Sequence, residues 1–127
     1  MSEVTIDHEG AFLALSGGAA ANLHARLVLP SLLAETQVHL TDAALEVSVA
    51  SFFSELAKEW RGWDGVHVWA TYEGGLALAC EHDRLGHVSV SVELREYSGP
   101  GWLVRGDVTV DAGQLEQLSR ELTVLVG

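Results

Sequence analysis

The chain has 127 residues, enough for one domain whose core needs neither a disulfide nor a metal to hold it together. Eighteen acidic residues against seven basic ones give a formal charge of −11, and with no basic run this excludes a reader of nucleic-acid backbones. Cys80 is the single cysteine, the first ten residues "MSEVTIDHEG" carry acid where a signal peptide carries base, and no apolar run nears the ~20 residues of a membrane span, so a cytoplasmic protein with no membrane partner is expected.

In chain order, "SEVTIDH" and "AFLALSG" read as short strands broken by Gly10 and by Gly17-Gly18. "NLHARLVL" alternates, with Leu23, Ala25, Leu27 and Leu29 on one side and His24 and Arg26 on the other, until Pro30 stops it. "ETQVHL" reads as a further strand, which makes residues 1–40 a strand-rich N-terminal segment.

From Ser48 the period changes. Val49, Phe52, Phe53, Leu56, Ala57 and Trp60 recur at spacings of three and four, which predicts a helix over 48–61 with Trp60 on its buried stripe. Ser48 suits the N-cap, although Thr41 and Asp42 are earlier possible starts, and Gly62 suits the residue after the last turn. Trp63 then folds back onto that turn.

Residues 66–110 hold four segments of period-two alternation joined by "EGG", "DRLG" and "YSGPG", which predicts an antiparallel β-meander. "HVSVSVELR" is the cleanest, with Val88, Val90, Val92 and Leu94 on one face. Asp111 and Gln114 form a capping-box pattern that opens a second helix over 112–126, with Leu115, Leu118, Leu122 and Leu125 as its stripe. The expected fold is α+β: one antiparallel meander with two amphipathic helices packed on one face, in a single domain over 1–127.

Odd-length turns put the apolar residues of neighbouring strands on one face. That register sets Val68 opposite Cys80, His67 opposite Glu81, Glu81 opposite His87, and Glu93 opposite Arg105. It collects His67, Glu81 and His87 on the outer sheet face with Trp69 beside them, over a shallow floor of Ala77, Ala79, Ser89 and Ser91. Two imidazoles and a carboxylate in that arrangement suit zinc or acid–base work, and equally suit a solvated sheet surface. The pattern leaves open whether the N-terminal strands cover this face. His82 and His87 point to opposite faces and are no ligand pair, and Cys80 on the core face is an inert packing residue.

No phosphate loop, dinucleotide fingerprint or nucleophile elbow occurs, so no motif supports an enzyme and no cofactor is implied. The runs "FFSELAKEWRGWDG" and "GLALACEHDRLGHVSVSVEL" resemble a family of small uncharacterised proteins, a domain of unknown function from high-GC, actinomycete-type bacteria. The resemblance rests on Glu59 to Gly65 and His82 to Val88, covers about residues 48 to 127, and implies a fold but no activity. The leading expectation is a small acidic domain that binds a protein partner, plausibly a basic one, with an immunity-type protein as one form. Two others are a small-molecule or metal-binding protein or enzyme that uses the outer sheet face through His67, Glu81 and His87, and a self-associating structural protein, for instance a homodimer.

Overall fold

The structure, a computed structural model, describes residues 3–8, 10–17, 22–40, 48–71 and 73–126. The earlier helix starts at Thr41 and Asp42, and the place of Tyr72, lie outside these residues. The class is α+β, with antiparallel sheets and two helices.

The four N-terminal segments all form strands: β1 (Glu3–His8), β2 (Ala11–Gly17), β3 (Asn22–Leu29) and β4 (Leu32–His39). They make a four-stranded sheet in chain order, each antiparallel to the next. This sheet is a correction to the expectation of one sheet, because the alternation of β3 is only part of a larger apolar face. Ile6, Leu13, Leu27 and Ala34 stand in one row across it, with Val4, Leu15, Ala25 and Thr36 in the next, and all are buried.

The second sheet runs β5 (Val66–Ala70), β6 (Leu76–His82), β7 (His87–Glu96) and β8 (Trp102–Asp111), again in chain order and antiparallel. Its buried face carries Leu76, Leu78, Cys80, Val88, Val90, Val92, Leu94, Val108 and Val110. The two apolar faces feed one core, β1 and β2 lying near β8, and β3 and β4 near β7. The approach is close. Leu29 of β3 packs where a side chain at Gly106 of β8 would stand, and Val38 of β4 lies over Gly75. A hydrogen bond of 2.6 Å from Thr36 Oγ1 to Glu96 Oε1 joins the sheets at a part-buried position.

Helix α1 (Val49–Lys58) begins at Ser48, whose Oγ accepts the Ser51 amide at 3.1 Å. It buries Val49, Ala50, Phe53 and Leu56. The helix stops before Trp60, so the helical spacing no longer applies there. Trp60 is a correction: it is 50% exposed, with the Arg61 guanidinium over its ring, while Trp63 takes the buried place at 6%. Helix α2 (Leu115–Val126) follows one 3₁₀ turn, Ala112–Gln114, and the Asp111 amide donates to Gln114 Oε1 at 3.2 Å. Leu115, Leu118 and Leu122 are buried, as their spacing predicts. α2 packs on α1 and on β1 and β2.

Candidate functional site

The face that a partner can reach is set by the register of β5. Thr71 N donates to Leu76 O at 2.9 Å, and Thr71 Oγ1 accepts the Leu76 amide at 3.3 Å, so four residues, 72–75, separate this closing pair. Gly74, at φ +81°, donates its amide to Thr71 O and lets the turn close at this even length. Across the strands Trp69 then stands opposite Leu78, His67 opposite Cys80, and Val68 opposite Ala79. The expected pairings of Val68 with Cys80 and of His67 with Glu81 are therefore corrected by one residue. A one-residue slip turns every side chain of a strand to the other face. This register buries the indole, the largest side chain of β5, and leaves Val66 and Val68 exposed.

Trp69 thus faces the core at 6% exposure and is not on the outer face beside His67, Glu81 and His87, where the expected register places it. In its place Val66, Val68 and Ala70 point outward, with Val66 at 54% and Val68 at 71% exposure. Beside them the small side chains of Ala77, Ala79 and Ser91 make a floor, and the far wall is Glu93 with Arg105. The result is a trough of about 420 Å³ across β5, β6, β7 and β8. Arg105 Nη2 lies 2.7 Å from Glu93 Oε2, in the cross-strand pair the alternation predicts, and Ser91 Oγ donates to Asp107 Oδ1 at 2.6 Å. The N-terminal sheet packs on the opposite, buried face, so the trough is not covered by it.

The three expected ligands are not brought together. His67 is half-buried on the core face, its Nε2 3.3 Å from Glu59 Oε2 and its ring 5.2 Å from that of Trp63. Glu81 is on the outer face but opposite Ser89, because β6 and β7 pair Cys80 with Val90 instead of with Val88. His87 stands two residues further along, opposite Asp111, with Nδ1 3.0 Å from Asp83 Oδ2. The two-residue shift comes from the turn. Asp83 Oδ1 accepts the Leu85 and His87 amides at 2.7 and 3.0 Å, and Arg84 and Gly86 take φ of +63° and +94°. Those two amides, then the His87 imidazole, hold the Asp83 carboxyl below the usual carboxylate range. Among the described residues no group of three or more His, Cys, Asp and Glu is placed to hold a metal ion.

The two sequence runs that carry the family resemblance meet in space. His82 accepts the Arg84 amide on Nδ1 at 2.8 Å, which leaves Nε2 as the donor to Trp60 O at 2.8 Å. Trp63 sits between the rings of His82 and His67 at 5.1 and 5.2 Å, both edge-on, and its Nε1 is buried with no hydrogen-bond partner among the described residues. Arg84 reaches Asp64, and its aliphatic stem lies against Gly62, whose φ of +143° favours glycine. The His82–Trp60, His82–Trp63, Arg84–Asp64 and Arg84–Gly62 contacts fix the segment after α1 to the β6–β7 hairpin, so this motif serves packing. Cys80 is buried, and burial pushes its thiol up to about 12, which makes it inert.

Sequence reasoning missed the carboxylates beside β5. A cleft of about 440 Å³ lies between α1 and His67, lined by Phe52, Leu56, Glu55, Lys58 and Glu59. The signal was present in Glu55 and Glu59 at helical spacing, but only the turned-in His67 shows which strand they flank.

A family model described as a family of unknown function (DUF6228) matches residues 7–127. No curated protein and no solved structure matches the chain.

Proposed function

We propose that this chain, which belongs to the family of unknown function matched over residues 7–127, is a protein-binding module that uses the outer face of its second sheet. The observation that carries this reading is the trough, in which exposed Val68 and Ala70 stand beside an alanine and serine floor, with exposed Val66 next along the same strand face. An apolar strip of this kind on a sheet face gains free energy when another surface removes it from water, by about 25 cal/mol per Å² of apolar area.

The charge supports a basic partner. A surface with −11 formal charge steers a cationic protein toward it and repels a second copy of itself. The polar rim of Glu81, Glu93, Arg105 and Asp107 around an apolar centre is the layout that protein interfaces favour. No chemistry is routed through His67, Glu81 and His87, which stand apart.

The test is capture from the host's lysate by the tagged chain at low and moderate salt, read by mass spectrometry, beside Val68→Lys and Ala79→Glu variants of unchanged melting temperature. The expected result is one basic protein retained by the wild type and lost with either variant. Capture that both variants leave intact places the binding surface elsewhere and refutes this reading.

A further inference from the structure

β5 is an edge strand of its sheet, and among the described residues no strand pairs with its second side. The direction of its amides follows from bonds on either side of β6. Arg95 N donates to Gly75 O, and Asp83 N to His87 O, so the odd-numbered residues of β6 bond toward β7. Leu76, Leu78 and Cys80 therefore bond toward β5, where Thr71, Trp69 and His67 meet them. That leaves the N–H and C=O groups of Val66, Val68 and Ala70 directed away from the sheet. Their side chains are the three that β5 turns outward, and Val68 and Ala70 among them line the trough.

Natural sheets guard such edges with charge, proline or a bulge. Among the described strands at sheet edges, β1 carries Glu3 and Asp7, β4 carries Glu35, and β8 carries Arg105 and Asp107. β5, "VHVWA", has no Lys, Arg, Asp, Glu or Pro. On its inner side the cleft with Glu55 and Glu59 opens next to His67, two carboxylates against the one ammonium of Lys58. Lys58 is held to Glu55 at 3.2 Å, which leaves Glu59 facing His67.

We infer that β5 binds an extended segment of the partner as an added strand, with apolar residues alternating with basic ones. This rests on the reading of the outer face as a binding surface and names a segment that extends it at the β5 edge. In the added strand, residues opposite Val66, Val68 and Ala70 exchange main-chain hydrogen bonds with them and lay apolar side chains against those three on the outer face. The residues between them point inward, where a lysine or arginine meets Glu59 and Glu55. Main-chain bonds supply affinity and the alternation supplies selectivity.

The test uses amide-resolved NMR of the whole chain with the peptide acetyl-Val-Lys-Val-Lys-Val-Lys-Val-amide as probe. The expected result is saturable shifts at the amides of Val66, Val68 and Ala70. N-methylation of the peptide's valines abolishes them, N-methylation of its lysines does not, and Glu55→Gln with Glu59→Gln weakens binding at least tenfold. Shifts at Ala77, Ala79 and Ser91 with no response from β5 overturn strand addition and leave the trough as a binding face. Shifts spread over the acidic surface and indifferent to N-methylation overturn strand addition as well, because they report charge alone. A spectrum unmoved at both β5 and the trough overturns both readings.

Discussion

Trp69 pairs with Leu78 across β5 and β6, and its indole lies in the core. Because adjacent residues of a strand face opposite ways, this single pairing turns Val68 out to solvent and gives the outer face of the second sheet an apolar strip along β5. The apolar wall of the trough follows from it.

Trp60, Trp63 and Trp69 divide by burial. Trp63→Ala and Trp69→Ala each remove a large buried side chain and should cost about 3–5 kcal/mol in urea unfolding. Trp60→Ala removes a half-exposed ring beyond the end of α1 and should cost about 1 kcal/mol or less. Equal losses at Trp60 and Trp63 would contradict the placement of the end of α1.

Acid should loosen the junction between the sheets. The Thr36 hydroxyl, followed by the Ser98 amide and hydroxyl, holds the Glu96 carboxyl below the ordinary glutamate value. A carboxylate with a depressed native pKa contributes stability above the unfolded value of about 4.3, and that contribution is lost as pH falls through the native value. Asp83, held down by the Leu85 and His87 amides, adds a loss of the same sign. Thr36→Val should raise the Glu96 pKa part of the way back, read by NMR titration, and flatten the acid limb of the stability curve. An unchanged Glu96 titration would show that the Thr36 bond is not formed in solution.

Cys80 should be silent toward a thiol reagent at pH 8 in the native protein and react only through unfolding, at a rate that follows global stability across urea concentrations. Its thiol is pushed up to about 12 by burial alone, so ionising it in place opposes folding as pH rises past its unfolded value of about 8.5. Fast labelling without denaturant would contradict its core position.

Gly106 lies under Leu29. A β-carbon there would overlap the end of the Leu29 side chain, which must move aside, so Gly106→Val should cost about 1 kcal/mol or more from overpacking. Leu29→Ala in the same chain should recover part of it. Additive losses in the double variant would show that the two residues do not touch.

Much of the fold was legible in the sequence. β2 and β3 fall where "AFLALSG" and "NLHARLVL" place them, Leu115, Leu118 and Leu122 face inward, and Glu93 meets Arg105 as the alternation of β7 and β8 requires. These segments are legible because one side of each is clearly more apolar than the other. β5 is not, since Val66, Val68 and Ala70 read as the buried set while His67, Trp69 and Thr71 are the side turned inward. A turn with glycines at 74 and 75 closes with three residues or four, and local pattern does not choose between them. Only the packing of an indole against Leu78 does. The partnership of the two sheets is likewise hidden, because it depends on contacts such as Thr36 with Glu96 and Leu29 with Gly106 that no periodicity reports.

The most direct test of the open edge is amide hydrogen exchange in the isolated chain, resolved along β5. Slow exchange is expected at His67, Trp69 and Thr71, which bond to β6, and fast exchange at Val66, Val68 and Ala70. Equal protection at all six positions would mean that the edge of β5 is already covered, and the added strand would not stand.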